Sequence, residues 1–288
     1  MNVLFFADLH LDLWLGASRD PFAEIPETVW ERIDAVVVVG DLTNKPKVRW
    51  PHALAHMGKY IALDRVYLLP GNHDYYDHTL DGDDRLAAIA TEAGARFVQT
   101  AAIEFGGCRL LCATLWTDFE LTGPKDEAVR SAMSGAVKRM SDYRYIRLGS
   151  DGYRRIRPQD IRRNHMAHRA WLEQKLAEPF EGDTIVATHH APHPDALEGD
   201  FLDVAYASDL SELIERHAPA FWIYGHTHTP AAFTVGRTEL VNVSLGYPME
   251  IGEGQCHRAF PERTLRSLGR SRHAARPPQR PIRAIRCQ

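Results

Sequence analysis

The feature that most constrains the fold is a repeated pattern in which a short apolar run stops at polar residues. Each run has four or five residues and is rich in Val, Ile, Leu or aromatic side chains, as expected of strands buried on both faces. Asp, Asn or His follows every run within three residues. The pattern therefore predicts a buried sheet with polar side chains at its strand ends. The five runs are Val3–Ala7, Ala35–Val39, Arg65–Leu69, Thr184–Ala187 and Phe221–Tyr224.

Helical periodicity fills the intervals between these runs. Strands that alternate with helices indicate βαβ units around a largely parallel sheet. Two further segments are typical of hairpins: Ala101–Trp116, which turns at Gly106-Gly107, and Ala231–Val243, which turns at Gly236-Arg237. Together they predict a layered α/β sandwich with mixed sheets. The predicted helices are Glu27–Ile33, Pro51–Leu63, Asp84–Ala93, Gln159–Leu176 and Ser208–His217.

Charge divides the chain into a body and a tail. Residues 253–288 contain nine Arg and two Glu, a net +7, and the whole chain carries −4, so residues 1–252 carry −11. We interpret 1–252 as one folded domain, with a partly helical insertion at about 117–163. The Arg/Pro-rich tail has too few periodic apolar residues to offset its ordering entropy, so we expect it to be poorly ordered.

Cysteine spacing and hydropathy favour a cytoplasmic protein with no membrane partner. The four cysteines form no CxxC pair, which favours reduced thiols. The first apolar run meets Asp8 at once, so it is typical of a strand and not of a signal peptide. No run approaches the roughly 18 apolar residues that a membrane span needs. The sequence gives no indication of oligomeric state.

The polar residues at the strand ends have the composition of a metal site. The carboxyl ends of parallel strands line the functional crevice of such sheets, so these side chains should converge. Asp8 and His10 are two residues apart, as are His226 and His228, and on an extended backbone each pair points one way. Two divalent cations would remove the cost of burying these groups together. The candidate ligands are Asp8, His10, Asp41, Asn72, His189, His226 and His228.

Five blocks carry these residues in a recognisable order. They resemble the five motifs of the calcineurin-like metallophosphoesterases, and the resemblance spans about residues 3 to 228. It implies an α/β fold, a four-layer αββα sandwich with two mixed β-sheets. The blocks are Asp8-x-His10, Gly40-Asp41, Gly71-Asn72-His73-Asp74, His189-x-x-Pro192 and Gly225-His226-x-His228.

The resemblance also implies a dinuclear metal centre, with Mn or Fe as the first expectation and Zn, Co or Ni as alternatives. Asp41 would bridge the two ions and therefore belong to two ligand sets. A hydroxide that also bridges the ions would attack phosphorus in line. His73 would contact the phosphoryl group and protonate the leaving oxygen as the catalytic acid. One set is Asp8, His10, Asp41 and His228, and the other is Asp41, Asn72, His189 and His226.

Several individual assignments stay open at this point. His190 is an alternative to His189 as a ligand, and Asp74 either orients His73 or caps its loop. His165 and His168 lie three apart on the longest predicted helix, where surface exposure is the commoner state. We expect the insertion and the preceding strand end to supply substrate-binding residues. These candidates are Trp116, Tyr143, Arg144 and Arg147.

The predicted function is metal-dependent hydrolysis of a small phosphodiester or phosphomonoester by an ester hydrolase. One alternative is a nuclease of the same fold that uses the basic tail, although the acidic body argues against a nucleic-acid partner. The other is a non-catalytic scaffold that keeps the fold without metals. Family members with a stretch similar to Gly246–Glu250 tend to end soon afterwards in another apolar strand, which the Arg/Pro-rich tail replaces here.

Overall fold

The computed structural model describes residues 1–197, 199, 202–252 and 284–286. The strands are β1 Asn2–Phe6, β2 Ala35–Val39, β3 Val66–Leu69, β4 Arg96–Phe97, β5 Ala101–Phe105, β6 Cys108–Ala113, β7 Arg147–Leu148, β8 Arg154–Arg155, β9 Asp183–Thr188, β10 Phe221–Tyr224, β11 Ala232–Val235, β12 Thr238–Asn242 and β13 Ala284–Arg286. The helices are α1 Leu11–Gly16, α2 Glu27–Trp30, α3 Pro46–Met57, α4 Asp83–Ala93, α5 Asp126–Arg139, α6 Asp142–Tyr145, α7 Pro158–Ala177, α8 Asp203–Tyr206 and α9 Ser211–His217.

Two mixed sheets form the centre of the fold. The first has the order β13-β1-β2-β3-β4, in which β1 to β4 run parallel and β13 is antiparallel to β1. The second has the order β11-β12-β10-β9-β6-β5, with a parallel centre and an antiparallel strand at each edge. A small ribbon, β7-β8, lies apart from both sheets.

The alternation of side chains along the strands produces four layers. Val3 and Phe5 on β1 pack with Leu110 on β6 and Ile223 on β10, so one apolar core lies between the sheets. The intervening residues of β1 belong to a second core with the helices α1, α3 and α4. A third core joins the other face of the second sheet to α7 and α9. This arrangement is the predicted αββα sandwich.

Most predicted elements are confirmed, and one helix is displaced. All five apolar runs are strands, and both hairpins turn where the glycines predicted. The helix predicted at Pro51–Leu63 is wrong in its bounds, because α3 begins at Pro46 and ends at Met57. Pro46 occupies the first helical turn, where a missing N–H costs nothing, and Pro51 is accommodated inside the helix. Helix α1 was not predicted.

The segments with less regular sequence also have a place in the fold. Residues 117–163 contain α5, α6, the β7-β8 ribbon and the start of α7. Cys108 and Cys112 are buried free thiols in the core between the sheets. Within the predicted tail, β13 pairs with β1, and residues 253–283 and 287–288 lie outside the described residues. No helix in the described ranges is long and apolar enough to cross a bilayer.

Candidate metal centre

The candidate ligands lie where the ends of both sheets meet. β1, β2 and β3 end at this edge of the first sheet, and β9 and β10 end at the same edge of the second. Backbone hydrogen bonds join the two sheets here, from Ala7 N–H to Val243 O at 3.0 Å and from Leu245 N–H to Ala7 O at 2.8 Å. The strand ends are therefore held in one fixed arrangement.

Left-handed backbone turns aim the side chains into the centre. Five candidate ligands have positive φ: Asp8 at 53°, His10 at 41°, Asp41 at 59°, His226 at 70° and His228 at 53°. The expectation that an extended backbone aligns Asp8 with His10 is therefore wrong in its reason, because the chain turns at both residues. Asp and His tolerate this conformation better than most residues, and such strain persists where the surrounding structure imposes it.

Glycines allow the strand ends to approach each other closely. A Cβ on Gly40 would lie 2.1 Å from Nδ1 of His189, and the φ of Gly40 is 93°. A Cβ on Gly71 would lie 2.2 Å from Oδ1 of Asp41. Any side chain at these two positions would displace a candidate ligand, so the glycines that precede Asp41 and Asn72 are required by the centre itself.

Three overlapping groups of side chains among the described residues could each hold an ion; one is His10, Asp41 and His73, and the other two share Asp8. The ligand atoms of Asp8, His10 and His228 lie within 4.8 Å of one another, and so do those of Asp8, Asp41, His189 and His226. Asp8 belongs to both of these groups. Asp41 connects them as well, since its Oδ2 lies 3.8 Å from Nε2 of His10 and its Oδ1 lies 3.5 Å from Nε2 of His189. Two carboxylates therefore lie between the two candidate positions.

His189 and Asn72 face each other through two hydrogen-bond acceptors, a ring nitrogen and an amide oxygen. Nδ1 of His189 lies 3.0 Å from the carbonyl oxygen of Val39, so that nitrogen carries the proton and donates it. The amide nitrogen of Asn72 donates to Asp142 at 2.9 Å, which turns its oxygen toward His189. That oxygen lies 3.0 Å from Nε2 of His189, and burial lowers the pKa of His189, which keeps the ring neutral. A cation between these two lone pairs would satisfy both.

The charges of the centre also suit a divalent cation. Burial acts to raise the pKa of Asp8, but His228, 3.3 Å away, outweighs it and lowers that pKa well below its ordinary value. Burial acts against protonation of His228, yet Asp8 and Glu250 raise its pKa to about 10. Burial and the charge of Asp8 raise the pKa of Asp41 well above its ordinary value. A bound cation would favour the charged form of Asp41.

Buried polar atoms of the candidate ligands lack the hydrogen-bond partners that such atoms normally have. Within the described part of the chain, Nε2 of His226 is buried and has no hydrogen-bond partner, and Oδ1 of Asp8 is buried with only the ion pair to His228 at 3.3 Å. Buried polar atoms are normally paired, and an orphaned one requires an explanation. Both residues belong to the group that contains Asp41 and His189. The donors therefore fit a metal centre, in number, chemistry and position.

His73 lies beside the centre and faces the cavity. Its backbone N–H donates to Oδ1 of Asp41 at 2.9 Å, and its Nδ1 lies 2.8 Å from Oδ1 of Asn44. Its ring stacks on Tyr76 with centroids 4.3 Å apart. Burial lowers the pKa of His73 to about 3. His73 is thus a fixed, neutral ring whose Nδ1–H is given to Asn44.

Asp74 caps the loops that carry the candidate ligands, which is one of the two roles left open from the sequence. One carboxylate oxygen accepts from the backbone N–H groups of Asp41 at 2.8 Å and Gly71 at 2.9 Å. The other accepts from Nε1 of Trp50 at 2.9 Å and from the backbone N–H of Thr43 at 3.2 Å. A single buried carboxylate therefore fixes the ends of both β2 and β3.

Replacing Asp74 by Asn should destabilise the fold by on the order of 2–4 kcal/mol. An amide presents one oxygen and one NH₂ group, so in either orientation one set of buried donors loses its acceptor. Urea unfolding would measure the change. Asp77→Asn is the matched control, because Asp77 is half exposed and pairs with Lys45 at 3.4 Å, a contact worth under about 1 kcal/mol. Equal losses in both variants would contradict the capping role.

Other histidines named in the sequence do not join the groups. His190 packs on His226 and turns its Nδ1 toward the carbonyl oxygen of Thr114 at 3.3 Å, so position favours His189 as the ligand. The expectation that His165 and His168 are at the surface is wrong. Both are buried because α7 packs against the second sheet, and Nδ1 of His168 accepts from the backbone N–H of Leu115 at 3.2 Å.

A cavity of about 370 Å³ opens over the centre. Arg139, Met140 and Ser141 of the insertion form part of its wall. The four residues predicted to bind substrate lie elsewhere. Trp116 is buried against Tyr75 and His190, Tyr143 lies in the outer core, Arg144 is exposed, and the guanidinium of Arg147 lies 5.4 Å from the ring of Tyr153. That they bind substrate stays a prediction, without support from their positions.

Sequence reasoning missed several residues that contact the candidate ligands, among them Glu250, Tyr247 and Asp142. Glu250 lies 3.0 Å from Nδ1 of His228, and the ring of Tyr247 lies 4.5 Å from that of His10. Asp142 binds the amide of Asn72. The signal for the first two was the Gly246–Glu250 stretch, which we used only to judge the end of the chain. Nothing in the local sequence around Asp142 indicated its contact.

An αββα sandwich with a buried Asp/Asn/His cluster at its strand ends has the architecture of a metal-dependent phosphoesterase. Residues 1–230 match the family model described as calcineurin-like phosphoesterase. The match spans most of the 288 residues, so the chain belongs to the calcineurin-like phosphoesterase family. The resemblance and the fold expected from the sequence are confirmed.

Individual relatives are distant. The uncharacterized protein L509 of Acanthamoeba polyphaga mimivirus is 23% identical over 206 residues, which cover 65% of this chain and 70% of that protein. Among solved structures, the phosphopantetheinyl hydrolase PptH from Mycobacterium tuberculosis has a TM-score of 0.64 at 21% identity. That likeness covers 86% of this chain and 90% of the other, and at this identity it supports the fold alone.

Proposed function

We propose that this protein hydrolyses a phosphate ester and that two divalent metal ions are its cofactors. The observation that carries the proposal is the 3.0 Å contact between two acceptors, the amide oxygen of Asn72 and Nε2 of His189. The cost of burying two carboxylates within one small volume points the same way. Our assignment gives one ion to Asp8, His10, Asp41 and His228, and the other to Asp41, Asn72, His189 and His226.

The residues of the chain have distinct parts in this chemistry. When bound, the two ions would hold phosphoryl oxygens and supply an activated water for in-line attack on phosphorus. Asp8 and Asp41 are almost completely buried, so bulk water does not compete for their oxygens. His73 faces the cavity and gives its Nδ1–H to Asn44, so its Nε2 faces the substrate with a lone pair. Nε2 takes up a proton, such as one released by the attacking water, and then passes it to the leaving oxygen.

The substrate class we propose is a small phosphodiester or phosphomonoester. A volume of about 370 Å³ lies near the lower end of the range of roughly 300–1,000 Å³ found for ligand pockets. The net charge of −11 on residues 1–252 disfavours a nucleic acid, which makes a nuclease the weaker alternative. PptH, which shares the fold, adds phosphopantetheinyl esters to the substrates worth testing. We propose Mn or Fe as the native ions, and a cytoplasmic location.

Purified protein should hydrolyse bis(p-nitrophenyl) phosphate or p-nitrophenyl phosphate when it is loaded with Mn²⁺. Release of p-nitrophenol measures turnover, and mass spectrometry of the same sample measures the metal content. We expect about two ions per chain, because our assignment provides two sets of ligands. A panel of Fe, Zn, Co and Ni under identical conditions would identify the preferred metal.

Removing the metal provides the control for this experiment. Treatment with a chelator should reduce turnover to the uncatalysed rate, and returning Mn²⁺ should restore it. Protein that binds two ions but turns over none of the esters with any metal would contradict the proposed hydrolysis. A content well below two ions per chain would favour the non-catalytic scaffold.

A further inference from the structure

Asp142 is a buried carboxylate that the five sequence motifs do not include. It is the first residue of α6 in the insertion, 70 positions beyond Asn72, and its side chain accepts two hydrogen bonds. The amide nitrogen of Asn72 donates to Oδ1 at 2.9 Å, and the hydroxyl of Tyr76 donates to the same oxygen at 2.7 Å. Both partners lie at the cavity, and Tyr76 also stacks on His73.

The chemistry of an amide gives this contact its importance. Asn72 can serve a metal only through its oxygen, and its NH₂ group must then point away from the ion. A 180° rotation of the amide would exchange the two ends and remove the ligand. A carboxylate accepts hydrogen bonds and donates none, so Asp142 binds the NH₂ end and repels the oxygen end.

We propose that Asp142 is a positioning residue that fixes the amide of Asn72 with its oxygen toward the metal centre. The inference rests on the proposed function, since it presumes an ion at Asn72. It assigns the insertion a part in metal binding, which Asp142 exerts through Asn72. The residues immediately before Asp142, Arg139 to Ser141, form part of the cavity wall, so one segment both borders the substrate space and holds a ligand in place.

The test compares the metal affinities of Asp142→Asn and the unaltered chain by titrating metal-free protein with Mn²⁺ in a calorimeter. Asn has the shape of Asp, but its amide accepts or donates according to its rotation, so it no longer distinguishes the two ends of Asn72. We expect one of the two ions to bind about 10–100-fold more weakly, and the other to bind as before. The melting temperature in chelator should stay close to that of the unaltered chain, which separates this effect from a loss of folding.

Two further variants make the result specific to the contact with Asn72. Asp126→Asn changes an exposed carboxylate of the same insertion and should leave both affinities unchanged. Tyr76→Phe removes the other hydrogen bond to Asp142 and keeps the bond between Asp142 and Asn72. We therefore expect its metal affinity to stay within about twofold of the unaltered chain. That change is smaller than the change typical of losing a residue that orients a metal ligand. Equal weakening in Tyr76→Phe and Asp142→Asn would overturn the inference, because the effect would then come from general packing.

The outcomes distinguish this inference from the function on which it rests. An unaltered chain that binds two ions, together with an Asp142→Asn variant that binds both equally well, would overturn the role of Asp142 alone. An unaltered chain that binds no divalent ion would overturn the proposed function, and the role of Asp142 with it. Weaker binding of a single ion in Asp142→Asn supports both.

Discussion

Replacing Asp41 by Asn is expected to reduce turnover by about 10³-fold or more and to lower the metal content below two ions per chain. Asp41 lies between the two candidate positions, 3.8 Å from Nε2 of His10 and 3.5 Å from Nε2 of His189. Losing a shared anionic ligand removes several kcal/mol of charge stabilisation, and each 1.36 kcal/mol corresponds to a factor of about ten in rate.

The same variant should keep its stability in the absence of metal. Burial and the neighbouring Asp8 raise the pKa of Asp41 well above its ordinary value, so its charged form is unfavourable in the metal-free fold. Asn has no charge, tolerates the φ of 59°, and keeps an oxygen that can accept from the backbone N–H of His73. The melting temperature in chelator should therefore equal or exceed that of the unaltered chain.

A matched substitution separates this effect from the general loss of a carboxylate. Asp64 is exposed on the surface, so Asp64→Asn should leave turnover, metal content and melting temperature unchanged. Metal content and turnover that survive in Asp41→Asn would contradict the shared-ligand assignment. A large drop in the metal-free melting temperature would instead indicate that Asp41 stabilises the fold.

The sequence predicted the sheet and the candidate ligands because both depend on local patterns. Apolar runs of four or five residues identify buried strands such as Val3–Ala7 wherever they occur. Asp8, Asp41 and His189 follow such runs directly, and parallel strands of one sheet must end at one edge. The proximity of Asp8 and Asp41 therefore follows from the topology of one sheet, whereas His189 follows a strand of the second sheet and reaches them because the two sheets meet at this edge.

Details of the centre could not be predicted because they depend on backbone turns and on distant contacts. The left-handed conformations of His10 and His226 are imposed by the junction of the two sheets, and no local pattern specifies them. Asp142 contacts Asn72 across 70 positions, and Glu250 contacts His228 across 22. Such contacts require the path of the insertion and of the loop after β12, which periodicity does not provide.

These distant contacts indicate how the motif residues depend on residues outside the motifs. The motif residues provide the charge and the lone pairs of the centre. Asp142 and Glu250 lie outside the motifs, and each accepts a hydrogen bond from one candidate ligand. Outer partners of this kind fix the orientation of a ligand, so changes in the insertion can alter metal affinity without changing a motif residue.

Replacing His73 by Asn is expected to lower turnover by about 10²–10⁴-fold, the range typical for loss of a general acid. The metal content should remain at two ions per chain, because His73 is outside the proposed ligand sets. This combination distinguishes His73 from Asp41, whose replacement should remove metal and activity together. Measuring turnover and metal content on the same preparation would separate the two roles.

The leaving group provides a further test of the proton that His73 is proposed to deliver. An alkoxide needs a proton as its bond to phosphorus breaks, whereas p-nitrophenolate leaves readily without one. The loss caused by His73→Asn should therefore be greater for an alkyl ester than for the p-nitrophenyl ester. His52→Asn, an exposed histidine on α3, should behave like the unaltered chain with both esters. An equal loss with both esters would mean that His73 binds the phosphoryl group without protonating the leaving oxygen.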